Sequence, residues 1–468
     1  RRPMAMDGGP LSNMQTRDVE ALLHPYTNAV QHRRVGPHVI ESGEGVYVYD
    51  DAGHRYIEGM AGLWCAGLGF GDAELIEAAR EQLGRLPYYH LFGGRSFEPA
   101  IALAEKLKDL APVPVSKIFY QSSGSEANES QIKLIWYYNN ARGRPEKKKI
   151  ISRIKGYHGV GVASGSLTGL PYNHKWFDLP VTDRIKHVAT PHFWRGAEAG
   201  ETERDFATRL AADLDAFIEA EGPETVAAFI AEPVMGAGGV IVPPEGYFEA
   251  ITPVLRKHDV LMIDDEVICG FGRTGNWFGA QTLGMTPNSI SMAKQLTAAY
   301  APLSAVAIDH GMAEVIEAAT DEIGLFGHGF TYGGHPLGCA VGLKTLEIYE
   351  QRDIVGHVRK VAPLFQRLLR AYADHPLVGE ARGVGLMGGL ELSPAPASAA
   401  MFGTPGKVGP VAANALLKYG VICRAIGDTL AFCPPMIITE DEITAMFEPV
   451  GKALDEAMAW AKAEGHMG

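Results

Sequence analysis

The sequence predicts an α/β fold, in which a large domain with a mainly parallel sheet flanked by helices is joined to a smaller α+β domain built from both chain termini. Two observations predict it. From Lys117 to about residue 310, short apolar runs alternate with amphipathic helical segments, the habit of a parallel sheet covered by helices. A hairpin pattern precedes that region, and mixed helix and strand patterns follow it. With 468 residues and 46% hydrophobic composition, the chain is long enough for two or three domains. The expected division is 1–65 and 340–468 for the two parts of the small domain and 66–339 for the large one.

The first dozen residues carry two arginines but no apolar run, and are expected to be a loose tail. GEGVYVYDDAGHRYIEG then alternates around an Asp-Ala-Gly-His turn, as a hairpin does. Helical spacing follows in AELIEAAREQLGRL and in PAIALAEKLKDLA, the latter ended by Pro112 and Pro114. The strand candidates of the large domain are KIFYQ, KKIISRI, AAFIAEP, VLMIDDEV and SAVAI. Its helices are expected in EANESQIKLIWYYNNA, RDFATRLAADLDAFIEAE and EAITPVLRKH. Beyond residue 340 come two long helical patterns, the strand material ARGVGLMGGLEL and GVICRAIGDTLAFCPP, and one closing helix, EDEITAMFEPVGKALDEAMAWAKAE.

Composition narrows the function classes. A net charge of −13 argues against nucleic acid or an anionic membrane as partner, and no run reaches the ~18 apolar residues of a membrane span. Five scattered cysteines without a CxxC indicate neither a disulfide framework nor a zinc site. A cytoplasmic protein is expected.

Chemistry concentrates in a few places. Between Arg273 and Asp309 the only formally charged residue is Lys294. Burial among small and apolar neighbours lowers an amine's pKa and suits it to Schiff-base formation, although a lone lysine also commonly reaches to the surface. YQSSGSEANES sets Ser122, Ser123, Gly124 and Ser125 between a strand and a helix, either as a phosphate cradle or as an ordinary helix cap. Asp264, Asp265 and Glu266 end an apolar strand. Period-2 alternation places Asp265 between Ile263 and Val267 on one face, which suits an acid serving a heterocyclic nitrogen better than a metal site. Tyr157-His158 offers an aromatic for stacking on a planar cofactor or for loop packing. Arg424 is a carboxylate-binding candidate or an edge-strand charge, and Thr331 a phosphate hydroxyl or a turn former. GFGRTG is a literal GxGxxG at Gly270, Gly272 and Gly275, so a nicotinamide oxidoreductase is a rival. Against it, NWFGAQ does not open a helix, and Lys294 and Gln295 stand where a ribose-binding acid belongs.

Taken in order, GMAGLWC, SSGSEAN, GYHG, AEPVMGAGG, DDEVICGFGRTG, AKQLTAAYAPLSAV, HGFTYGGHP and ARGVGLMGGLEL closely resemble the class III aminotransferases of pyridoxal 5'-phosphate fold type I. The resemblance runs from about residue 40 to the end. It implies that Lys294 forms the Schiff base with the cofactor and later shuttles a proton, and that Asp265 pairs with the pyridinium nitrogen. Val267 and Tyr157 would sandwich the ring, with His158 beside it. Ser123, Gly124 and Ser125 would hold the phosphate, together with Thr331 from the neighbouring subunit of a homodimer, which could pair further into a tetramer. Glu232 looks like the family's supporting acid. The implied reaction is ping-pong transfer from an amine to a keto acid, with no resident metal.

The branch is read from Ala237. Relatives using 4-aminobutyrate, ornithine or 2-oxoglutarate usually carry Glu there, paired with the arginine matching Arg424. With Ala237, Arg424 looks like the mobile arginine of the ω-transaminases of amine:pyruvate type, which implies S-selectivity. Trp64, Tyr26 and Phe92 match aromatic positions lining that branch's substrate pocket. Gly93 and Gly94 stand where a second bulky aromatic is common, so a roomier pocket is expected. The alternatives inside the fold are β-alanine-type and 4-aminobutyrate-type transaminases.

Overall fold

The computed structural model describes residues 10–467. Most of the expected loose tail lies outside them, and Ser12 already caps a helix, Asn13–Ala21, through a capping box with Gln15.

Among the described residues fifteen strands form three sheets. In chain order they are β1 (Ile40–Glu44), β2 (Tyr47–Asp50), β3 (Arg55–Glu58), β4 (Lys117–Gln121), β5 (Lys149–Arg153), β6 (Ile185–Val188), β7 (Val226–Ala231), β8 (Leu261–Asp265), β9 (Ser289–Met292), β10 (Ser304–Ile308), β11 (Val378–Val384), β12 (Met387–Leu392), β13 (Val421–Ile422), β14 (Arg424–Ile426) and β15 (Thr429–Phe432). The central sheet has the order β4-β10-β9-β8-β7-β5-β6. Strands β9, β8, β7, β5 and β6 pair in parallel, and β10 alone runs against both of its neighbours. Every residue of β7, VAAFIA, is buried, as expected of a parallel strand covered on both faces. Its covering helices, Gly124–Ala141 and Glu203–Glu221, begin at Ser123 and Thr202, whose side chains accept backbone N–H groups.

The two ends of the chain meet in one sheet. Its order is β1-β2-β3-β13, and β13 pairs in parallel with β3. A third sheet, β11-β12-β15-β14, is antiparallel. Arg382 on β11 ties that sheet to the turn after β7. Its Nη2 donates to Gly239 O at 2.6 Å and its Nε to Val240 O at 3.0 Å, while Nη1 meets Glu380 and Glu391.

Several expectations are corrected. The single closing helix is two, Glu440–Phe447 and Val450–Ala463, because Pro449 has no N–H to donate and its ring crowds the preceding turn. VICRA is divided between β13 and β14, which lie in different sheets. Strands β1, β6 and β9 carry no apolar run of the kind used to find the others. GFGRTG is a series of turns with Gly272 and Gly275 at positive φ, and the helix after it, Gly279–Leu283, starts at Phe278, beyond the third glycine.

Candidate active site

Five strands deliver their following residues to one place, the carboxyl ends of the parallel sheet, where α/β proteins bind ligands. After β4 come Ser122–Ser125, after β5 Tyr157 and His158, after β7 Glu232, after β8 Val267, and after β9 Lys294; Asp265 is the last residue of β8. All of them line a cavity of about 370 Å³.

Lys294 opens a short 3-10 turn with φ +50°, a left-handed conformation that bends the chain sharply out of β9. Burial lowers its pKa, Cys65, Asp265 and Glu232 oppose that shift, and the charge of Arg424 adds to it. The amine is therefore neutral over a wider pH range than a free lysine.

Asp265 is held on both oxygens. Asn128 Nδ2 donates to Oδ2 at 2.8 Å, and His158 Nδ1 lies 2.7 Å from the same atom. The Val267 N–H donates to Oδ1 at 3.1 Å. Asn128 Oδ1 in turn accepts from Ser291 Oγ at 2.7 Å, and Gln131 Nε2 donates to Ser291 Oγ at 3.2 Å. The carboxylate thus ends a buried polar chain that fixes its orientation. His158 Nε2 is buried and has no protein partner. Glu232 accepts N–H groups from Tyr157 at 3.0 Å and Gly236 at 3.2 Å, and burial raises its pKa. On the other face of β8, Glu266 accepts the Gly279 and Ala280 N–H groups at 2.9 and 2.7 Å. Of the three consecutive acids, Asp265 and Glu266 therefore do different jobs.

At the start of helix Gly124–Ala141, Ser123 Oγ accepts the Glu126 N–H at 3.1 Å. The N–H groups of Gly124 and Ser125 sit at the positive end of the helix, where an anion is stabilised. A Cβ on Gly124 would stand 2.9 Å from Val267 Cγ1, so a side chain there would fill the cradle. Both readings of YQSSGSEANES are thus compatible, since the cap uses the serine hydroxyl and leaves the first backbone donors free.

Of the residues expected to touch substrate, Tyr157 lines the cavity and six others with expected site roles do not. Trp64, 2% exposed and at φ +66°, belongs to a small apolar cluster with Val234 and Ile268. Ala237 is buried in the turn after β7. Phe92 is 52% exposed, with its ring edge toward Gly329, and Thr331 is exposed, its carbonyl accepting from Tyr88 at 2.9 Å. Tyr26 and Arg424 stand at the rim. Burial raises the pKa of Tyr157, Tyr26 adds to the rise, and the charge of Arg424 opposes it. Asn128, Cys65, Thr297 and Tyr300 also line the cavity without having been singled out in the sequence. Asn128 lies one helical turn after Gly124, a spacing that puts both on one face.

An amine that loses its proton readily, an oriented carboxylate and an anion-binding helix start, set around one cavity, fit a phosphorylated heterocyclic aldehyde. The comparisons agree. The model of the family "Aminotransferase class-III" matches residues 28–454. The crystal structure of the ω-transaminase from Pseudomonas jessenii in complex with PMP is 51% identical, covers 96% of this chain and 99% of that chain, and superposes with a TM-score of 0.95. Among curated proteins, the γ-aminobutyrate transaminase 1, mitochondrial, of Oryza sativa subsp. japonica is 46% identical over 92% of this chain and 84% of its own length. The diaminobutyrate–2-oxoglutarate transaminase of Halomonas elongata is 46% identical over 96% and 97%. The chain belongs to the class III aminotransferases, transaminases that use pyridoxal 5'-phosphate to move an amino group from an amine to a keto acid.

Proposed function

We propose that the chain is an ω-transaminase that takes nitrogen from a primary amine or amino acid and gives it to pyruvate by a ping-pong route. Pyridoxal 5'-phosphate, when bound, supplies an aldehyde for the amine and a ring that accepts the electrons left at the substrate carbon. Ser123, Gly124 and Ser125 would hold the phosphate, and Val267 and Tyr157, which line the same cavity, would contact the ring. Asp265, oriented by Asn128 and His158, keeps a proton on the ring nitrogen. Lys294 Nζ, its pKa lowered by burial, would take up the proton lost by the substrate carbon.

The observation that carries this reading is Arg424. It is half-buried at the rim, its charge reaches Lys294, Tyr157 and Tyr172, and among the described residues no carboxylate pairs with it. With Ala237 in place of an acid, Arg424 is free to bind a substrate carboxylate bidentately and to swing aside for an apolar group. Gly93 and Gly94 are exposed beside Phe92, with open space where a Cβ would project, and acceptance of bulky amines belongs to the same proposal.

The active site is read as shared in a homodimer. Tyr88, Tyr89, Phe92 and Tyr332 are exposed together with Thr331, and Ser122 at the cavity donates to Tyr332 O at 3.4 Å. A patch of this kind on a soluble chain marks an interface. A second reading, an ω-amino acid transaminase using 2-oxoglutarate, is favoured by the names of the curated relatives.

A matrix of donors and acceptors distinguishes the two. 1-Phenylethylamine, a bulkier amine, β-alanine and 4-aminobutyrate are each paired with pyruvate and with 2-oxoglutarate, following alanine or glutamate. Alanine from 1-phenylethylamine, with 2-oxoglutarate at least ~10-fold poorer, is expected. Glutamate from 4-aminobutyrate with pyruvate inert overturns the first reading in favour of the second.

A further inference from the structure

The segment that carries Tyr26 to the rim is closed by an unusual trio. Asp18 lies on helix Asn13–Ala21, His32 on helix Ala29–Val35, and His24 in the connection between them. His24 Nε2 stands 3.0 Å and 2.8 Å from the two oxygens of Asp18, and His32 Nε2 stands 2.9 Å from Oδ2. The two imidazole rings are 4.4 Å apart. All three side chains are partly buried, and three ligand-type atoms face one another within 4.8 Å.

Among the described residues two other trios, each of one histidine and two carboxylates, lie beside a cation already present in the chain. His192, Glu380 and Glu391 surround the guanidinium of Arg382. Asp215 and Glu219 pair with Lys257 as well as with His258. Among the described residues the Asp18 trio is paired with no lysine or arginine. Two imidazole nitrogens and one carboxylate oxygen form a borderline-soft set that favours zinc-class ions over Mg²⁺ or Ca²⁺, which take oxygen ligands.

We propose that Asp18, His24 and His32 bind one divalent ion of the zinc class, with solvent completing the fourth position, and that the ion clasps the turn bearing Tyr26. Ligand bonds of about 2.0–2.1 Å in a tetrahedral site separate neighbouring ligand atoms by about 3.3 Å. The present contacts therefore need to open by only a few tenths of an ångström. On binding, each Nε2 gives up the proton it donates to Asp18, which passes to a bare Nδ1 or, from a protonated ring, to solvent. Each imidazole then presents a bare Nε2 with its one proton on Nδ1, and Asp18 exchanges two N–H partners for the ion. The clasp spans the connection in which Tyr26 adopts φ +52°. There the Tyr26 hydroxyl accepts from Asn173 Nδ2 at 2.6 Å, and its ring stands edge-on to Tyr172 at 6.2 Å. Closing the loop with an ion restricts the unfolded alternatives of the segment, as any cross-link does.

The test uses the full chain loaded with cofactor, titrated with Co²⁺ and then with Zn²⁺. One Co²⁺ per chain with visible ligand-field bands, displaced by Zn²⁺, is expected. In the His24→Gln/His32→Gln double variant, glutamine keeps an N–H donor toward Asp18 but removes both imidazoles, so the fold is retained and affinity falls by ~100-fold or more. His54→Gln, which removes an exposed imidazole elsewhere, leaves the titration unchanged. Equal binding by the wild type and the double variant, or no binding by the wild type, overturns the site. Amide exchange over residues 18–32 slows on adding Zn²⁺ to the wild type only; unchanged exchange at full occupancy overturns the clasp.

Discussion

Asp265 shows how little of a residue's behaviour resides in its own side chain. Its carboxylate is aimed by Asn128 and His158, and Asn128 is aimed by Ser291. Replacing Asn128 with Leu leaves Asp265 and Ser291 each short of a buried partner. A stability loss of about 1–3 kcal/mol and a kcat reduced about tenfold or more are expected in urea titrations and steady-state assays. An unchanged kcat means that His158 alone orients the acid. Glu58 offers a different residue-scale outcome. Its carboxylate accepts the Met60 N–H at 2.9 Å, yet burial pushes its pKa up to about 7 from an ordinary 4.5. Between these values the native state holds a proton that the unfolded chain has released. The stabilisation is complete below the ordinary value and is lost as pH rises through about 7. Glu58→Gln therefore removes a pH-dependent loss of up to about 3 kcal/mol, read as denaturation midpoints on either side of that window. Equal pH slopes in wild type and variant would sink the assignment.

Among the elements, the helix starting at Gly124 couples backbone geometry to the proposed phosphate cradle. Gly124→Ala drives a methyl to within 2.9 Å of Val267 Cγ1, so weaker cofactor retention and an overpacking cost of about 1–3 kcal/mol are expected. Fluorescence titration of apoprotein with pyridoxal phosphate measures the first, and retention equal to wild type would show that Val267 yields. Elements whose apolar residues run together were legible in the sequence, as in VAAFIA of β7 and SAVAI of β10. Strand β9, SISM, was not, because Ser289 and Ser291 are buried through hydrogen bonds to Gln131 and Asn128 rather than through apolar contact. β1, IESGE, is mostly exposed and carries no pattern at all. Lys294, the strand-end acid Asp265 and the turn at Ser123–Ser125 were legible because each has a local signature: a charge in a neutral stretch, an acid ending an apolar strand, a glycine at a helix start. The Asn128–Asp265 bond joins residues 137 positions apart, and no local pattern encodes it. Nor does any show that Trp64 lies in an apolar cluster while Phe92 faces outward.

For the whole molecule, Arg382 is the rivet between the C-terminal sheet and the turn after β7. Burial would raise the pKa of Glu391, but Arg382, with His192 and Arg195, holds it down to about 2. Arg382→Met leaves Glu391 with Arg195 alone of its two arginines and frees the Gly239 and Val240 carbonyls. A loss of about 3–5 kcal/mol is expected, and a denaturation midpoint within error of wild type would show the rivet to be dispensable. The pairing of β3 with β13 has a consequence for synthesis. Ile57 and Glu58 adjoin Val421 and Ile422, so the edge of β3 stays open on the ribosome until nearly the whole chain has been translated. An open edge is a template for pairing with other nascent chains, and contacts this distant in sequence form late. Arg424, two residues past Ile422, is delivered by that same last step. The residues that line the cavity, from Cys65 to Leu303, are therefore all translated before Arg424, and a chain released short of β13 keeps a sticky edge on β3.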